Sequence, residues 1–132
     1  MRDKIGKEDK MMSNGKVEKI RAEGCVFCKI ADGKLPATYL FQDDEIMAIE
    51  NIYPEAKVHV LVIPKNHIVL NSLQDSEELL GRLMIKAREA AEIKGIKDSG
   101  YRIIINTGKD ARADFEHLHL HVLGGEKLGS LN

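Results

Sequence analysis

Short apolar runs bounded by turn residues dominate the first half of the chain, and a helical rhythm takes over in the second. Thr38-Tyr39-Leu40-Phe41-Gln42 predicts a strand, Asp43-Asp44 a hairpin turn, and Ile46-Met47-Ala48-Ile49-Glu50 its return strand. A loop held by Pro54 follows. Val58-His59-Val60-Leu61-Val62-Ile63 is rich in β-branched side chains, apolar at nearly every position and closed by Pro64, which predicts a central strand covered on both faces. After Asp75 the period lengthens to that of a helix. Leu79, Leu80, Leu83, Met84, Ala87, Ala90 and Ala91 form one core-facing stripe, running to about Gly95, with Asp75-Ser76-Glu77-Glu78 as a capping box and Asp75 as N-cap. Tyr101-Arg102-Ile103-Ile104-Ile105-Asn106 predicts a further strand, and a loop containing Gly and Asp follows at 107–114. The run His117-Leu118-His119-Leu120-His121-Val122 then alternates imidazole with aliphatic, predicting a last strand with its histidines on one face and Leu118, Leu120 and Val122 on the other. Near the start, Cys25-Val26-Phe27-Cys28-Lys29-Ile30-Ala31 predicts a short helical turn ended by Asp32-Gly33. The order predicts an α+β domain: a mostly antiparallel five-stranded sheet with one long helix and a short N-terminal helix.

Length and charge narrow the reading. A chain of 132 residues is one domain. Residues 1–23, rich in Lys and Glu, read as an N-terminal extension, either an amphipathic helix or a mobile segment, ahead of a domain over 24–132. With 43% hydrophobic and 31% charged residues the composition is that of a soluble globular protein. A formal net charge of -1 supplies no global attraction to nucleic acid or to an anionic membrane, so neither is expected as a partner and any phosphate must be bound locally. No apolar stretch approaches the roughly 20 residues of a membrane helix, and the first ten residues contain no apolar core of a secretory signal, so a cytoplasmic location is expected. In a reducing compartment the two cysteines, Cys25 and Cys28, read as half a zinc site or as a redox pair.

Candidate chemistry concentrates in the histidines. On a strand rising about 3.3 Å per residue, His117, His119 and His121 stand roughly 6 to 7 Å apart, near enough to share a substrate anion, a proton or a metal. Backbone N–H groups of Thr107-Gly108-Lys109-Asp110 are placed to cradle an anion beside them. Two readings stand at this point: chemistry by the imidazoles themselves, or a catalytic cation held by the triplet together with His59.

Three ordered motifs resemble the histidine triad (HIT) superfamily: His117, His119 and His121 with Val122-Leu123-Gly124-Gly125, the stretch His59-Val60-Leu61-Val62-Ile63-Pro64-Lys65-Asn66-His67, and Cys25-Val26-Phe27-Cys28-Lys29-Ile30. The resemblance spans about residues 25 to 125 and is strongest to the Hint branch, whose members are typically homodimeric purine nucleoside phosphoramidases. It implies a HIT-like fold and a nucleotide hydrolase or transferase acting at the α-phosphate through a nucleotidyl-histidine intermediate. The substrate would be a purine nucleotide, AMP or GMP or a derivative, and no organic cofactor is implied. His119 would be the nucleophile, with His121 and His59 holding phosphate oxygens. Asn51 falls where the family contacts the ribose hydroxyls, and Val26, Phe27 and Ile49 match the apolar walls about the base. Asn106 and Asp114 complete the implied nucleotide-binding set. In some branches a structural zinc joins residues that correspond here to Cys25, Cys28, His67 and His117; a plain reduced thiol pair is the alternative.

One stretch departs from the family pattern. Where Hint-like enzymes usually carry Gly-Gln-Ser or Gly-Gln-Thr, this chain has Ala113 at the Gln position and Asp114 at the hydroxyl position. Three accounts compete. Asp114 turns away to cap the loop while Arg112 grips phosphate; or Asp114 is protonated, its pKa raised by burial and by the substrate's charge, and serves as acid for the leaving group; or the site is weak on phosphoramidates and tuned to another leaving group. A dinucleoside polyphosphate hydrolase, or a nucleotide-binding module with weak catalysis, is the alternative function.

Overall fold

A computed structural model describes residues 18–130, and the expectations for residues 1–17 lie outside them. The chain runs α1 (Val26–Ala31), β1 (Tyr39–Gln42), β2 (Ile46–Glu50), β3 (Val58–Pro64), α2 (Glu77–Ile93), β4 (Tyr101–Ile104) and β5 (Leu120–Gly124), with 3-10 turns at Leu70–Ser72 and Lys109–Ala111. The strands form one five-stranded sheet in the order β1-β2-β3-β5-β4, every neighbouring pair antiparallel. The α+β architecture expected from the sequence is therefore the one found. Asp43 makes the first hairpin: its Oδ1 accepts the N–H groups of Glu45 and Ile46, each at 2.8 Å, so the side chain closes the turn. No helix among the described residues is long and apolar enough to cross a membrane.

The period-two alternation of the central strands sorts side chains into two cores. Ile46, Ala48, Val60, Val62, Leu120 and Val122 face α2, where Leu83, Ala87, Ala90 and Ala91 meet them. On the other face Met47, Ile49, Leu61 and Ile63 pack with Phe27 and Ile30 of α1. Because β3 lies in the middle of the sheet with a helix over each face, all six of its residues after Val58 are buried. The small residues of α2 let the helix approach the sheet closely, while the opposite face is covered only by the short α1 and is left partly open.

Helix α2 starts differently from the expectation. Its N-cap is Ser76, without a side-chain cap bond, and Asp75 has a left-handed backbone with φ 52°, so Asp75 is not the N-cap. The Ser76 hydroxyl instead donates to the Gln74 carbonyl at 2.9 Å. Met84, expected in the core stripe, is 47% exposed, because the stripe spans more of the helix than the sheet can cover. The far end follows the sequence. Gly95 (φ 75°) is the left-handed residue of a Schellman cap, with Gly95 N–H donating to Glu92 O at 3.1 Å and Ile96 N–H to Ala91 O at 3.0 Å.

Residues 18–23 are not helical but strap across the loop after β3. Ile20 N–H donates to Asn66 Oδ1 at 2.9 Å, Asn66 Nδ2 donates to Glu18 O at 3.0 Å, and His67 N–H donates to Ile20 O at 2.8 Å. Arg21 links the strap to the loop at Asn66 Oδ1 and to α1 at Asp32 Oδ1, both at 2.9 Å.

Candidate active site and metal centre

Of the three alternating histidines, His121 alone lies within the ladder. β5 begins at Leu120, and His117 to His119 lead into it as extended chain anchored by Leu118 N–H donating to Ile68 O at 2.7 Å. The expected strand is thus shorter, because β3 ends at Pro64, whose ring nitrogen has no hydrogen to donate and whose carbonyl is used elsewhere. The alternation survives the loss of pairing: Leu118, Leu120 and Val122 enter the α2 core, and the histidines take the opposite face. His121 lies opposite Leu61 and His59 opposite Leu123, so the two imidazoles are diagonal neighbours with His59 Nε2 2.8 Å from His121 Nδ1. The rings of His119 and His121 are 4.9 Å apart.

Hydrogen bonds to backbone carbonyls define two of the tautomers. A carbonyl only accepts, so His119, with Nδ1 2.7 Å from His117 O, carries its proton on Nδ1 and keeps a bare lone pair on Nε2. By the same argument His117, with Nε2 2.7 Å from Pro64 O, presents Nδ1 as a lone pair. Burial favours the neutral rings. It pushes His119 below the ordinary imidazole value, the bond to the His117 carbonyl opposing it. It pushes His121 down to about 4, with the like charges of His119 and His59 adding to the effect. His59 is lowered by burial too, with the Glu55 carboxylate opposing.

Beside His119 and His121 opens a cleft of about 490 Å³, within the range of small-molecule sites. Val26, Phe27, Ile30, Ile49 and Leu61 give it an apolar wall from α1 and the sheet. Asn51, Ile52, Tyr53 and Glu55 form one rim, and Asn106, Arg112, Ala113, Asp114 and Phe115 the other. Phe27 is central, its ring 5.0 Å from that of His119 and 5.3 Å from that of Phe115. Asn51 is oriented by its own turn, with Oδ1 accepting Tyr53 N–H at 2.9 Å.

Most residues singled out from the sequence therefore meet at one place: Val26, Phe27, Ile49, Asn51, Asn106, Asp114, His119 and His121 all line the cleft. His59 does not. It is 2% exposed and sits behind His121, with Nδ1 accepting the Glu55 N–H at 3.0 Å, so no nitrogen of it is free to hold a phosphate oxygen. The residues 107–110 do not line the cleft either; the loop folds back through Ala113 N–H to Gly108 O at 3.2 Å and presents Arg112 to Phe115 instead. Asp114 is exposed, so the burial that one account of it requires is not there. Leu61 and Phe115 went unremarked in the sequence, although each shares the parity of a neighbouring histidine, Leu61 two residues after His59 and Phe115 two before His117. The Glu55 group that His59 accepts from is its backbone N–H, which left no sequence signal.

On the far side of His117 a second group of donors converges. The ligand atoms of Cys25, Cys28, His67 and His117 all lie within 4.8 Å of one another. Cys25 Sγ is 3.3 Å from His117 Nδ1, and Cys28 Sγ is 3.5 Å from His67 Nδ1 and 3.6 Å from His117 Nδ1. A tetrahedral zinc bonded to sulfur at about 2.3 Å and to nitrogen at about 2.0 Å needs donor separations of roughly 3.3 to 3.8 Å, the range in which these three Cys–His contacts fall, so the donor set suits the ion. Their surroundings fit as well. Cys28 Sγ accepts Ala22 N–H at 3.3 Å and Cys25 Sγ accepts Cys28 N–H at 3.4 Å, bonds that stabilise thiolates, while the His117 Nε2 bond to Pro64 O orients that ligand. Without a cation, burial raises the Cys28 thiol above its ordinary value. Among the described residues this is the group of side chains whose ligand atoms converge as a metal requires; His59, His119 and His121 form no such group, so the catalytic-cation reading finds no support in the geometry.

Comparison with known proteins agrees with this arrangement. A family model described as scavenger mRNA decapping enzyme C-term binding matches residues 24–130. The purine nucleoside phosphoramidase of Escherichia coli (strain K12) is 37% identical over 114 residues, which cover 83% of this chain and 94% of that protein. The crystal structure of a HIT family hydrolase from Legionella pneumophila superimposes with a TM-score of 0.78 at 41% identity, covering 80% of this chain and 96% of the other. A zinc-bound histidine triad family protein from Mycobacterium smegmatis gives a TM-score of 0.67 at 38% identity, covering 80% of each chain. With the family model spanning most of the described residues and the fold shared with these relatives, the chain belongs to the histidine triad family.

Proposed function

We propose that the protein is a purine nucleoside phosphoramidase that works through a nucleotidyl-histidine intermediate on His119. The observation that carries this reading is the His119 Nδ1–H bond to the His117 carbonyl, which leaves Nε2 as a neutral lone pair at the wall of the cleft. Nε2 attacks the α-phosphorus while the bond from phosphorus to the leaving nitrogen breaks, and that nitrogen takes up a proton from solvent as it departs. Water then attacks the same phosphorus and gives up a proton to solvent, the phosphorus–imidazole bond breaks, and the nucleotide is released with the His119 ring neutral again. His121 is the group beside the nucleophile that holds the phosphate oxygens as their charge grows. Val26, Phe27 and Ile49 form the wall for the base, and Asn51 and Asn106 are the amides suited to ribose hydroxyls. The kinship with the Escherichia coli phosphoramidase supports the same substrate class.

Cys25, Cys28, His67 and His117 would hold a structural zinc that ties α1 to the segment before β5, leaving no open position for chemistry. We read the domain as 24–132 with residues 18–23 strapped to it, and its location as cytoplasmic, where paired thiols stay reduced. Homodimerisation is supported by Met84 and Ile85, 47% and 46% exposed on α2, an apolar strip that a second copy would cover. A second reading is favoured by Arg112, a guanidinium lining the cleft: a leaving group that carries phosphate, as in dinucleoside polyphosphates.

The test is turnover of adenosine 5'-phosphoramidate by the wild type and His119→Ala, with mass spectrometry under non-acidic conditions to detect a nucleotidyl adduct. Turnover and adduct in the wild type, with both lost in the variant, are expected. Bound nucleotide without turnover or adduct would leave a binding module, and faster turnover of a dinucleoside polyphosphate would favour the second reading.

A further inference from the structure

Two hydrogen bonds run in succession from the rim of the cleft to its phosphate-facing edge, and their directions are not free. The Glu55 backbone N–H can only donate, and it lies 3.0 Å from His59 Nδ1. That nitrogen must therefore carry a lone pair, and a neutral imidazole has one proton, so it resides on His59 Nε2. His59 Nε2 is 2.8 Å from His121 Nδ1, which can then only accept. The proton of His121 is left on Nε2, on a ring that lines the cleft. One backbone amide thus selects the tautomer of two rings in succession. Burial of both keeps them neutral.

Asn51 does not disturb this order. Its Nδ2 stands 3.2 Å from His59 Nε2 and 3.5 Å from Nδ1; an amide NH2 only donates, so against the protonated Nε2 it makes no hydrogen bond, and only the longer contact shares the Nδ1 lone pair with the Glu55 N–H. Exchanging the amide's ends would turn NH2 toward the Tyr53 N–H that Oδ1 now accepts.

We propose that His59 is a positioning residue, not a phosphate ligand: it passes the orientation imposed by the Glu55 N–H to His121, so that His121 meets the substrate as a hydrogen-bond donor. With the opposite tautomers His121 would turn a lone pair toward phosphate oxygens, replacing attraction by repulsion where transferred charge develops. The rim segment 51–55 belongs to the same device. Asn51 N–H donates to His59 O at 3.0 Å, and Ile52 and Tyr53, 78% and 80% exposed, line the cleft between the two ends tied to His59. A ligand packed against that rim presses on the segment that sets the donor.

The inference rests on the reading of His119 and His121 as the phosphate-handling pair, and two measurements separate the two. Nitrogen-15 spectra of the histidine rings in the full-length wild type are expected to show His59 and His121 both protonated at Nε2 and bare at Nδ1 at neutral pH. Turnover of adenosine 5'-phosphoramidate is then compared in His59→Gln, whose amide nitrogen can still donate to His121 Nδ1, and His59→Leu, which cannot. His59→Gln is expected to stay within about threefold of wild type, and His59→Leu to lose about 10²-fold in kcat, the usual effect of removing one such donor. A proton on Nδ1 of either ring, or folded Gln and Leu variants with the same activity, would overturn the proposal; the ring spectra decide it even if the Leu variant does not fold. A wild type with the expected tautomers but no turnover would count against the proposed function alone.

Discussion

His121 refuses a proton that it would accept in the unfolded chain, and this links stability to pH. Its folded value is about 4, against an ordinary imidazole value of about 6.5. Between these two the unfolded chain binds a proton that the folded one does not, so stability rises with pH across the window. It is fully present above about pH 6.5 and is lost as the pH falls toward 4, with His59, also lowered, acting in the same direction. Thermal melts at pH 7 and pH 5 are expected to show a lower Tm at pH 5, and His121→Gln to reduce the difference, with His117, His119 and His59, also lowered by burial, sustaining the rest. An unchanged pH slope in the variant would mean that His121 is not the group responsible. The alternation of histidine with aliphatic was legible as one chemical face and one core face, since residue parity alone determines it. Which nitrogen of each ring carries the proton was not, because it depends on the Pro64, His117 and Glu55 backbone groups brought there by the fold.

Among the elements, β5 shows how a motif can be visible without its reason. Gly124-Gly125 ends the histidine run, but only packing explains the first glycine: a Cβ at Gly124 would stand 2.7 Å from Ile96 Cδ1 and 3.1 Å from the Gly100 carbonyl. The Schellman cap of α2 drives Ile96 into that space, so helix end and strand end interlock at a residue without a side chain. Gly124→Ala is expected to destabilise by about 1 to 3 kcal/mol, read as a lower midpoint in urea at an unchanged slope. At Gly125, φ is 82° and a Cβ would approach Val58 Cγ2 to 3.0 Å, so both glycines are needed for different reasons. The strands and α2 were readable because their patterns are long. The start of α2 was not: two acidic residues three apart suggested a box, and the backbone of Asp75 enters the helix by another path. The breadth of the apolar stripe was readable, but nothing in one chain's sequence says how much of it the sheet covers.

For the whole molecule, the four metal-type donors join segments far apart in the chain, with Cys25 and His117 separated by 92 positions. Closing such long loops restricts the unfolded chain, and an ion bound only by the folded state adds its binding free energy to stability. Treatment with a strong chelator is therefore expected to lower Tm by roughly 10 °C or more and to release one zinc per chain, detected with a chromogenic indicator. An unchanged Tm with no metal released would leave a reduced thiol pair. The Cys-x-x-C motif alone could not disclose this grouping, because His67 and His117 reach it only through the strap, the loop after β3 and the approach to β5. Val26 and Phe27, the two residues between the cysteines, are at the same time the wall of the cleft. On the function and metal site proposed above, selectivity and metal retention share one four-residue segment. A lineage, or an engineer, that reshapes the wall to admit a different base must do so without altering the span between the two sulfurs, so new specificities should arise by exchange at these two positions and not by insertion.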